Sequence, residues 1–319
     1  MQIFITGVAG FIGFNLSKYL LRNSKLKVFG VDNLNTYYSK SLKLKRVREL
    51  KKFHNFKFKK IDITNKKQLD SFFKGKKISL IINLAAQAGV RYSLKKPTEY
   101  VDNNILGFYN IINLANNYKV KKIIYASSSS VYGDSITFPL NEKQKIKPKN
   151  IYALSKKINE EMAEVFSEQF KIYFTGLRFF TVYGEWGRPD MFLFKLLKAY
   201  KKKNFFYLNN FGNHTRDFTY SGDVVKILNK LVKLKKFNFD IANICNSNPV
   251  NIRFICKNFQ KKYNFKKIKL VEKNKADVLN THGDNRKIKK IVKMKKFTPF
   301  NVGFKKTSNW YFKKSIYKF

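Results

Sequence analysis

The fold is decided by residues 2–13, Gln-Ile-Phe-Ile-Thr-Gly-Val-Ala-Gly-Phe-Ile-Gly. Their apolar start predicts a β-strand, and an apolar helix is expected to begin near Phe11. The three glycines of this stretch let the backbone approach a bound group closely, while the free amide groups at the helix N-terminus attract an anion. The stretch therefore predicts a site for a dinucleotide pyrophosphate, with expected contacts from Gly7, Gly10, Phe11, Ile12 and Gly13.

Short apolar runs alternate with longer amphipathic stretches through the first half of the chain. The runs predicted as strands are residues 3–6, 27–31, 56–61, 78–84, 122–126 and 172–177. Strict alternation of strand and helix implies crossover connections, and hence an α/β fold with a parallel, doubly wound sheet of the Rossmann type. A ligand is expected at the carboxyl ends of these strands.

The alternation loosens after about Gly176. We therefore predict a nucleotide-binding domain over residues 1–178 and a smaller mixed α/β substrate-binding lobe over residues 179–319. Residues 216–246 again follow a strand, helix, strand pattern, so this segment is expected to return to the first domain.

The formal net charge of +46 comes from basic residues spread along the whole chain of 319 residues. A dedicated nucleic-acid site gathers positive charge in one tail or arm, so this spread predicts a solvated surface with no specific nucleic-acid partner. The two cysteines, Cys245 and Cys256, are too few for a disulfide framework and are predicted to be buried thiols. Met1 leads directly into the first strand, and no apolar stretch is long enough to cross a membrane, so we expect a cytoplasmic protein.

The second predicted strand ends in Asp32 and Asn33. A carboxylate at this position accepts hydrogen bonds from an adenosine ribose and repels a 2′-phosphate, which favours NAD over NADP. Residues that follow the third and fourth strands are expected near the adenine and the ribose. The remaining predicted cofactor contacts are Asp62, Ile63, Leu84, Ala85, Ala86, Gln87 and Asn104.

The chemistry is predicted from Tyr152 and Lys156, which lie four residues apart. On a helix this spacing places the phenol and the ammonium on one face, where the cation can lower a tyrosine pKa of about 10. Tyr152 then becomes an acid/base group at neutral pH. The serine run 127–130 follows the fifth strand and predicts hydroxyl groups that hold a substrate oxygen near Tyr152.

Five longer motifs narrow the prediction: residues 32–38, 84–93, 176–184, 186–191 and 216–220. With the tyrosine and lysine they resemble the extended short-chain dehydrogenase/reductases from end to end. More narrowly, the chain resembles the UDP-glucuronate 4-epimerases. The resemblance implies that Tyr152 removes the proton of the sugar C4 hydroxyl as a hydride passes to NAD. The 4-keto sugar then turns over, and hydride returns to its opposite face.

The resemblance also assigns roles to particular residues. Lys156 holds the nicotinamide ribose and lowers the tyrosine pKa, and Ser128 bonds the 4-oxygen, with Ser129 as the close alternative. The expected substrate contacts are Arg91, Ser128, Ser129, Ser130, Thr181, Arg188, Arg216 and Asp277, of which Arg216 binds the nucleotide phosphates. A homodimer is implied, formed by the Tyr152 helix and the helix near residues 98–118.

The chain departs from the family pattern at three places. Glu185 replaces a proline, residues 275–278 replace Pro-Gly-Asp-Val, and residues 281–284 replace the usual sequence with Thr-His-Gly-Asp. A 4-epimerase for UDP-glucose or a UDP-N-acetylhexosamine therefore stays open as an alternative, and so does a UDP-glucuronate decarboxylase. A binding-only protein would be expected to lose the tyrosine or the lysine. The three histidines lack metal-ligand spacing, so no metal is predicted.

Overall fold

The computed structural model describes residues 1–23, 25–234, 239–272 and 278–313. Its strands, in chain order, are β1 (Gln2–Thr6), β2 (Lys27–Asp32), β3 (Phe56–Lys60), β4 (Ile78–Asn83), β5 (Lys122–Ser128), β6 (Tyr173–Phe179), β7 (Thr181–Tyr183), β8 (Phe206–Asn209), β9 (Thr215–Arg216), β10 (Phe218–Tyr220), β11 (Asp240–Ile244), β12 (Val250–Asn251) and β13 (Ile268–Val271).

The helices alternate with the strands over most of the chain. They are α1 (Phe11–Asn23), α2 (Lys40–Lys51), α3 (Lys66–Phe73), α4 (Val90–Ser93), α5 (Thr98–Tyr100), α6 (Gly107–Asn117), α7 (Ile151–Phe170), α8 (Phe192–Lys201), α9 (Ser221–Lys233), α10 (Ile252–Tyr263), α11 (Arg286–Val292) and α12 (Phe300–Lys313). A π-helical stretch, Val101–Leu106, joins α5 to α6.

Seven strands form one parallel sheet in the order β11-β6-β5-β4-β1-β2-β3. The predicted parallel, doubly wound α/β fold is confirmed, and each of the six predicted strands lies in this sheet. The strand order reverses between β1 and β4, which leaves a crevice at their carboxyl ends. The strand β11, within the segment 216–246, pairs with β6 at the edge of the sheet. The division into two domains stays a prediction.

Both faces of the sheet are buried, and β1 illustrates the reason. Successive side chains of a strand point to opposite faces. Ile3 and Ile5 accordingly pack into one apolar cluster with α1 and α9, while Phe4 packs into a second cluster with α3 and α6. Because helices cover both faces, the central strands bury apolar side chains on both sides, as in other parallel sheets. The edge strand β3 differs, with Lys57, Lys59 and Lys60 among its five residues.

Three small strand pairs lie outside the main sheet. β7 pairs with β10, β8 with β13 and β9 with β12. The helix expected near residues 191–202 is α8, and the short strand expected near residues 205–208 is β8. Cys245 and Cys256 are free and buried, as predicted. Within the described ranges, no helix combines the length and apolar character needed to cross a bilayer.

Candidate active site

A cavity of about 420 Å³ opens where β1, β2, β4, β5 and β6 end. Its walls are formed by residues of the glycine loop, the serine run and the first turns of α7, three segments that are distant in sequence. The predicted site residues that line it are Gly7, Gly10, Phe11, Ile12, Gly13, Asp32, Asn33, Ile63, Leu84, Ala85, Ala86, Gln87, Ser128, Ser129, Ser130, Tyr152, Lys156, Thr181 and Arg188.

The glycine loop forms the floor of one end of the cavity. Gly7 has φ +69°, a conformation that favours glycine, and its N–H donates to Val31 O at 2.8 Å. A Cβ at Gly13 would lie 2.2 Å from Gly7 O, and a Cβ at Gly7 would lie 2.8 Å from Ala85 N. No side chain fits at either position. The start of α1 therefore reaches the cavity as bare backbone, which suits a pyrophosphate.

Asp32 stands at the end of β2 with both carboxylate oxygens engaged. They accept from Ala9 N at 3.1 Å and Leu34 N at 2.8 Å, which fixes the carboxylate at the rim of the glycine loop. Burial raises the pKa of Asp32, although nearby Lys43 opposes this rise. Burial in turn lowers the pKa of Lys43 to about 8. Lys43 also lines the cavity, so this end of it carries both an anionic and a cationic group.

Two predicted cofactor contacts lie behind the cavity wall instead of on it. Asp62 accepts from Asn33 Nδ2 at 2.8 Å, and so holds a lining residue in place. Burial raises the pKa of Asp62, but hydrogen bonds from Asn33 and Thr64 outweigh burial and keep the pKa below its ordinary value. Asn104 is buried, and its side chain exchanges hydrogen bonds with the backbone N–H and C=O of Gln87.

The two residues predicted to carry the chemistry are in the first turns of α7. Asn150 caps this helix by accepting from Ala153 N at 2.9 Å, which fixes where the helix begins and places Tyr152 at the cavity. Burial raises the pKa of Tyr152, and the nearby Ser128 hydroxyl lowers it. Lys156 donates to Ala126 O at 2.8 Å. The tyrosine, the lysine and the serine all line the same cavity.

The expected effect of Lys156 on the tyrosine does not appear in this arrangement. Burial raises the pKa of Tyr152, and the groups that oppose burial are Ser128 and Arg188. Burial also lowers the pKa of Lys156 to about 8, against the attraction of Glu160. Tyr152 and Lys156 lie four residues apart on one helix, as the sequence predicted. The sequence did not reveal that both side chains are desolvated, because desolvation depends on the surrounding fold.

Arg188 and Thr181 also line the cavity. Its guanidinium pairs with Asp190 through Nε to Oδ1 at 3.1 Å and a second nitrogen to Oδ2 at 2.5 Å. The Tyr37 hydroxyl also donates to Asp190 at 3.2 Å. Burial works against the charge of Arg188, but Asp190 outweighs it and raises the Arg188 pKa. The cavity thus holds a permanently charged, oriented arginine.

The other predicted substrate contacts are not on the cavity lining. Arg91 lies exposed on α4. Arg216 donates to three backbone carbonyls, of Thr215, Val278 and Leu279, at 2.6 to 2.9 Å. Asp277 lies outside the described residues.

The residue-level prediction missed several side chains of this site. Asn35, Tyr37, Tyr38, Lys43 and Met191 all line the cavity. Four of them fall within the motifs at residues 32–38 and 186–191, so a signal for those four was present in the sequence. Lys43 had none, because it reaches the cavity from α2.

Arg46 is a fully buried residue that the sequence did not single out. It donates to Ala9 O at 2.7 Å, to Trp186 O at 2.5 Å and to Gly187 O at 3.1 Å. One guanidinium thereby ties the glycine loop to the loop that carries Arg188. Such a contact between distant segments is invisible in local sequence patterns.

The fold and the site together define a class of protein. A doubly wound sheet, a glycine loop at the end of β1 and a tyrosine, lysine and serine beside it describe a dinucleotide-dependent enzyme of the short-chain dehydrogenase/reductase type. Comparison with family models matches residues 3–245 to the NAD dependent epimerase/dehydratase family. The chain belongs to this family, and NAD is its cofactor.

Individual relatives cover nearly the whole chain. UDP-glucuronate 4-epimerase of Thermodesulfobacterium geofontis is 38% identical over 309 residues, which are 96% of this chain and 94% of that protein. UDP-glucuronate 4-epimerase 4 of Arabidopsis thaliana is 35% identical over an alignment of 331 positions, which covers 98% of this chain and 75% of that protein.

Among solved structures, UDP-glucuronic acid 4-epimerase from Bacillus cereus, in complex with UDP-glucuronic acid and NAD, superposes with a TM-score of 0.92. It is 28% identical, and the match covers 98% of this chain and 99% of that one. The resemblance inferred from the motifs is therefore confirmed at the level of the family.

Proposed function

We propose that the protein is an isomerase that converts UDP-glucuronate to UDP-galacturonate by inverting the sugar C4. The observation that carries the proposal is the presence of Tyr152, Ser128, Lys156 and Arg188 in one cavity that begins at the glycine loop. The named activity of relatives that match this chain over nearly its full length supports the choice of substrate.

The residues at the glycine loop fit NAD. The closest approach at Gly13, where a Cβ would lie 2.2 Å from Gly7 O, leaves backbone amides to meet the pyrophosphate. Asp32, held by two backbone amides, would accept from the adenosine ribose. Lys156 would hold the nicotinamide ribose. When bound, NAD supplies a site that takes hydride from the sugar C4 and gives it back.

The proton chemistry falls to Tyr152 and Ser128. The Tyr152 phenolate takes the proton of the C4 hydroxyl, while the Ser128 hydroxyl holds the 4-oxygen at hydrogen-bond distance from the tyrosine. After the sugar has turned over, Tyr152 returns the proton to the 4-oxygen and the C4 configuration is inverted. Burial raises the pKa of Tyr152, and the positive charge of Arg188 opposes this rise and so favours the phenolate.

We propose that the other polar groups of the cavity select the sugar. Ser129, Ser130 and Thr181 offer hydroxyl groups, and Arg188 offers a guanidinium already oriented by Asp190. We propose that these groups hold the glucuronate carboxylate, because an anion in a partly buried site needs donors on more than one side. For Arg216 we propose a contact with the nucleotide phosphates; this requires it to exchange backbone carbonyl partners for phosphate oxygens.

We also propose a homodimer formed by the helices that pack beside the site. Large apolar side chains are exposed on the π-helical stretch and α6, namely Leu106 and Tyr109, and on α7, namely Leu154 and Val165. Val165 is the most exposed of these four, at 60%. Light scattering should give twice the chain mass for the wild type, and Val165→Glu should shift the protein toward monomer. A wild-type monomer at micromolar concentration would contradict the proposal.

The function is tested by incubating the purified protein with UDP-glucuronate and NAD and following the sugar protons by NMR. UDP-galacturonate at equilibrium with the substrate is the expected result. A UDP-pentose would reassign the protein to the decarboxylases. An unchanged spectrum, followed by conversion of UDP-glucose or UDP-N-acetylglucosamine, would keep the epimerisation and change the substrate.

A further inference from the structure

Three residues spaced by four along α7 face the end of β5: Tyr152, Lys156 and Glu160. The first two contact this strand end through Ser128 and the carbonyl of Ala126, as described above. Ser127 lies between Ala126 and Ser128, and its hydroxyl is hydrogen-bonded to Glu160. The proposed reaction gives Glu160 no role.

Glu160 is buried, with 4% of its surface exposed. Its Oε1 accepts from the Ser127 hydroxyl at 2.5 Å and from Arg178 Nε at 2.9 Å, and its Oε2 accepts from another Arg178 nitrogen at 2.7 Å. Two consecutive residues of β5, Ala126 and Ser127, are thus each hydrogen-bonded to one residue of this helix face, and Ser128 follows them next to Tyr152. Ser127 also lines the cavity, so Glu160 contacts a wall residue directly.

Arg178, on β6, is equally buried and is fixed from its other side. It donates to the Tyr132 hydroxyl at 2.9 Å, and the Tyr132 ring lies 4.8 Å from the guanidinium carbon. Tyr132 in turn donates to Asn243 on β11 at 2.8 Å. The Glu160 carboxylate is therefore held on a rigid base that spans β5, β6 and β11.

We propose that Glu160 is a positioning residue for proton transfer. It fixes the strand end that carries Ser128, and it keeps a negative charge one helical turn beyond Lys156. This inference rests on the proposed function, in which Tyr152, Lys156 and Ser128 carry the chemistry. Glu160 itself is behind the wall and acts through Ser127 and Lys156.

The effect of the Glu160 charge on Lys156 can be measured, because few other charged groups in the described part of the chain lie near Lys156. The titratable groups nearest it are Tyr152 and Glu160 on its own helix, with Arg178 paired to Glu160 from β6; the π-helical stretch contacts α7 through the neutral Asn104. Burial lowers the pKa of Lys156 to about 8, and Glu160 is the charge that raises it. Loss of that charge would let Lys156 lose its proton at a lower pH.

The test compares Glu160→Gln with Glu161→Gln, its neighbour on α7. Glu161 is 57% exposed and pairs with Lys157 at 3.3 Å, so its substitution removes the same charge from the helix surface. Glu160→Gln should reduce kcat about 10- to 100-fold with little change in KM, because misplaced reacting groups slow the chemical step. The alkaline limb of its kcat profile should move down by about one pH unit. Glu161→Gln should match the wild type in both respects.

A second variant separates positioning from folding, since Glu160→Gln leaves the buried Arg178 without its partner. The double variant Glu160→Met, Arg178→Met removes both charges at similar volume and is expected to fold. It should keep the low kcat. Wild-type kcat and an unmoved pH profile in the double variant would show that the pair serves stability alone and would overturn the inference.

The assay uses whichever UDP-sugar the wild type epimerises. If that sugar is not UDP-glucuronate, the proposed substrate is wrong, but the comparison of the Glu160 and Glu161 variants still holds. Calorimetric binding of NAD⁺ across the same pH range gives a readout without turnover. Its affinity should decline at lower pH in Glu160→Gln than in Glu161→Gln, as Lys156 loses its charge earlier. Identical pH dependence in the two variants would count against the role of Glu160.

Discussion

Replacement of Gly13 by alanine tests the glycine loop most directly, since Gly13 lies within α1 and has ordinary helical geometry. The new Cβ would lie 2.2 Å from Gly7 O, 2.9 Å from Gly7 C and 3.1 Å from Val8 Cα. Real Cβ atoms essentially never lie closer than 3.0 Å to such a neighbour, and every atom that this Cβ would meet is backbone. The loop must move by roughly an ångström, or the start of α1 must move.

The magnitude follows from two opposing effects. Overpacking a rigid site costs about 1–3 kcal/mol, and a clash with backbone at this distance belongs near 3 kcal/mol. Alanine in place of glycine within a helix contributes about 1 kcal/mol in the other direction. The net strain of about 2 kcal/mol corresponds to about 30-fold weaker binding if the displaced loop meets the pyrophosphate poorly.

The assay is calorimetric titration of the variant with NAD⁺, combined with thermal unfolding. Gly75→Ala is the control, since Gly75 has φ +74° but nothing within 4 Å of its new Cβ. It should lose some stability through backbone strain and bind NAD⁺ as the wild type does. A Gly13→Ala protein with wild-type affinity and unfolding temperature would refute the claim that close approach at this glycine shapes the cofactor site.

Three further outcomes are expected. Tyr152→Phe should lower turnover by about 10²- to 10⁴-fold while NAD⁺ stays bound, because it removes the acid/base hydroxyl; near-normal turnover in a coupled assay would exclude Tyr152 from that role. Thr181→Ala should impair UDP-glucuronate more than UDP-glucose, and equal losses in kcat/KM would rule out carboxylate selection by this hydroxyl. Burial raises the pKa of Asp217 from 3.8 to about 6, so its protonated form is favoured in the folded state. Between pH 4 and 6 this group alone should remove about 3 kcal/mol of unfolding free energy as the pH rises, and Asp217→Asn should abolish that slope in denaturant titrations.

The sheet and the glycine loop of the site could be predicted from the amino-acid sequence. Strand and helix periods are local properties of the chain, and the β1 residues Ile3 to Thr6 followed by closely spaced glycines specify a strand, a tight turn and a helix within a few residues. Tyr152 and Lys156 were equally accessible, because two residues four apart share a helix face whatever surrounds them.

The contacts between groups that are distant in sequence could not be predicted in this way. Lys43 comes to Asp32 from α2, Arg46 ties the glycine loop to residues 186–187, and Arg178 meets Glu160 from a neighbouring strand. No local pattern encodes such contacts, because they depend on how separate elements pack. The same reason explains the tyrosine: its pKa depends on burial, and burial is created by the whole fold around the cavity.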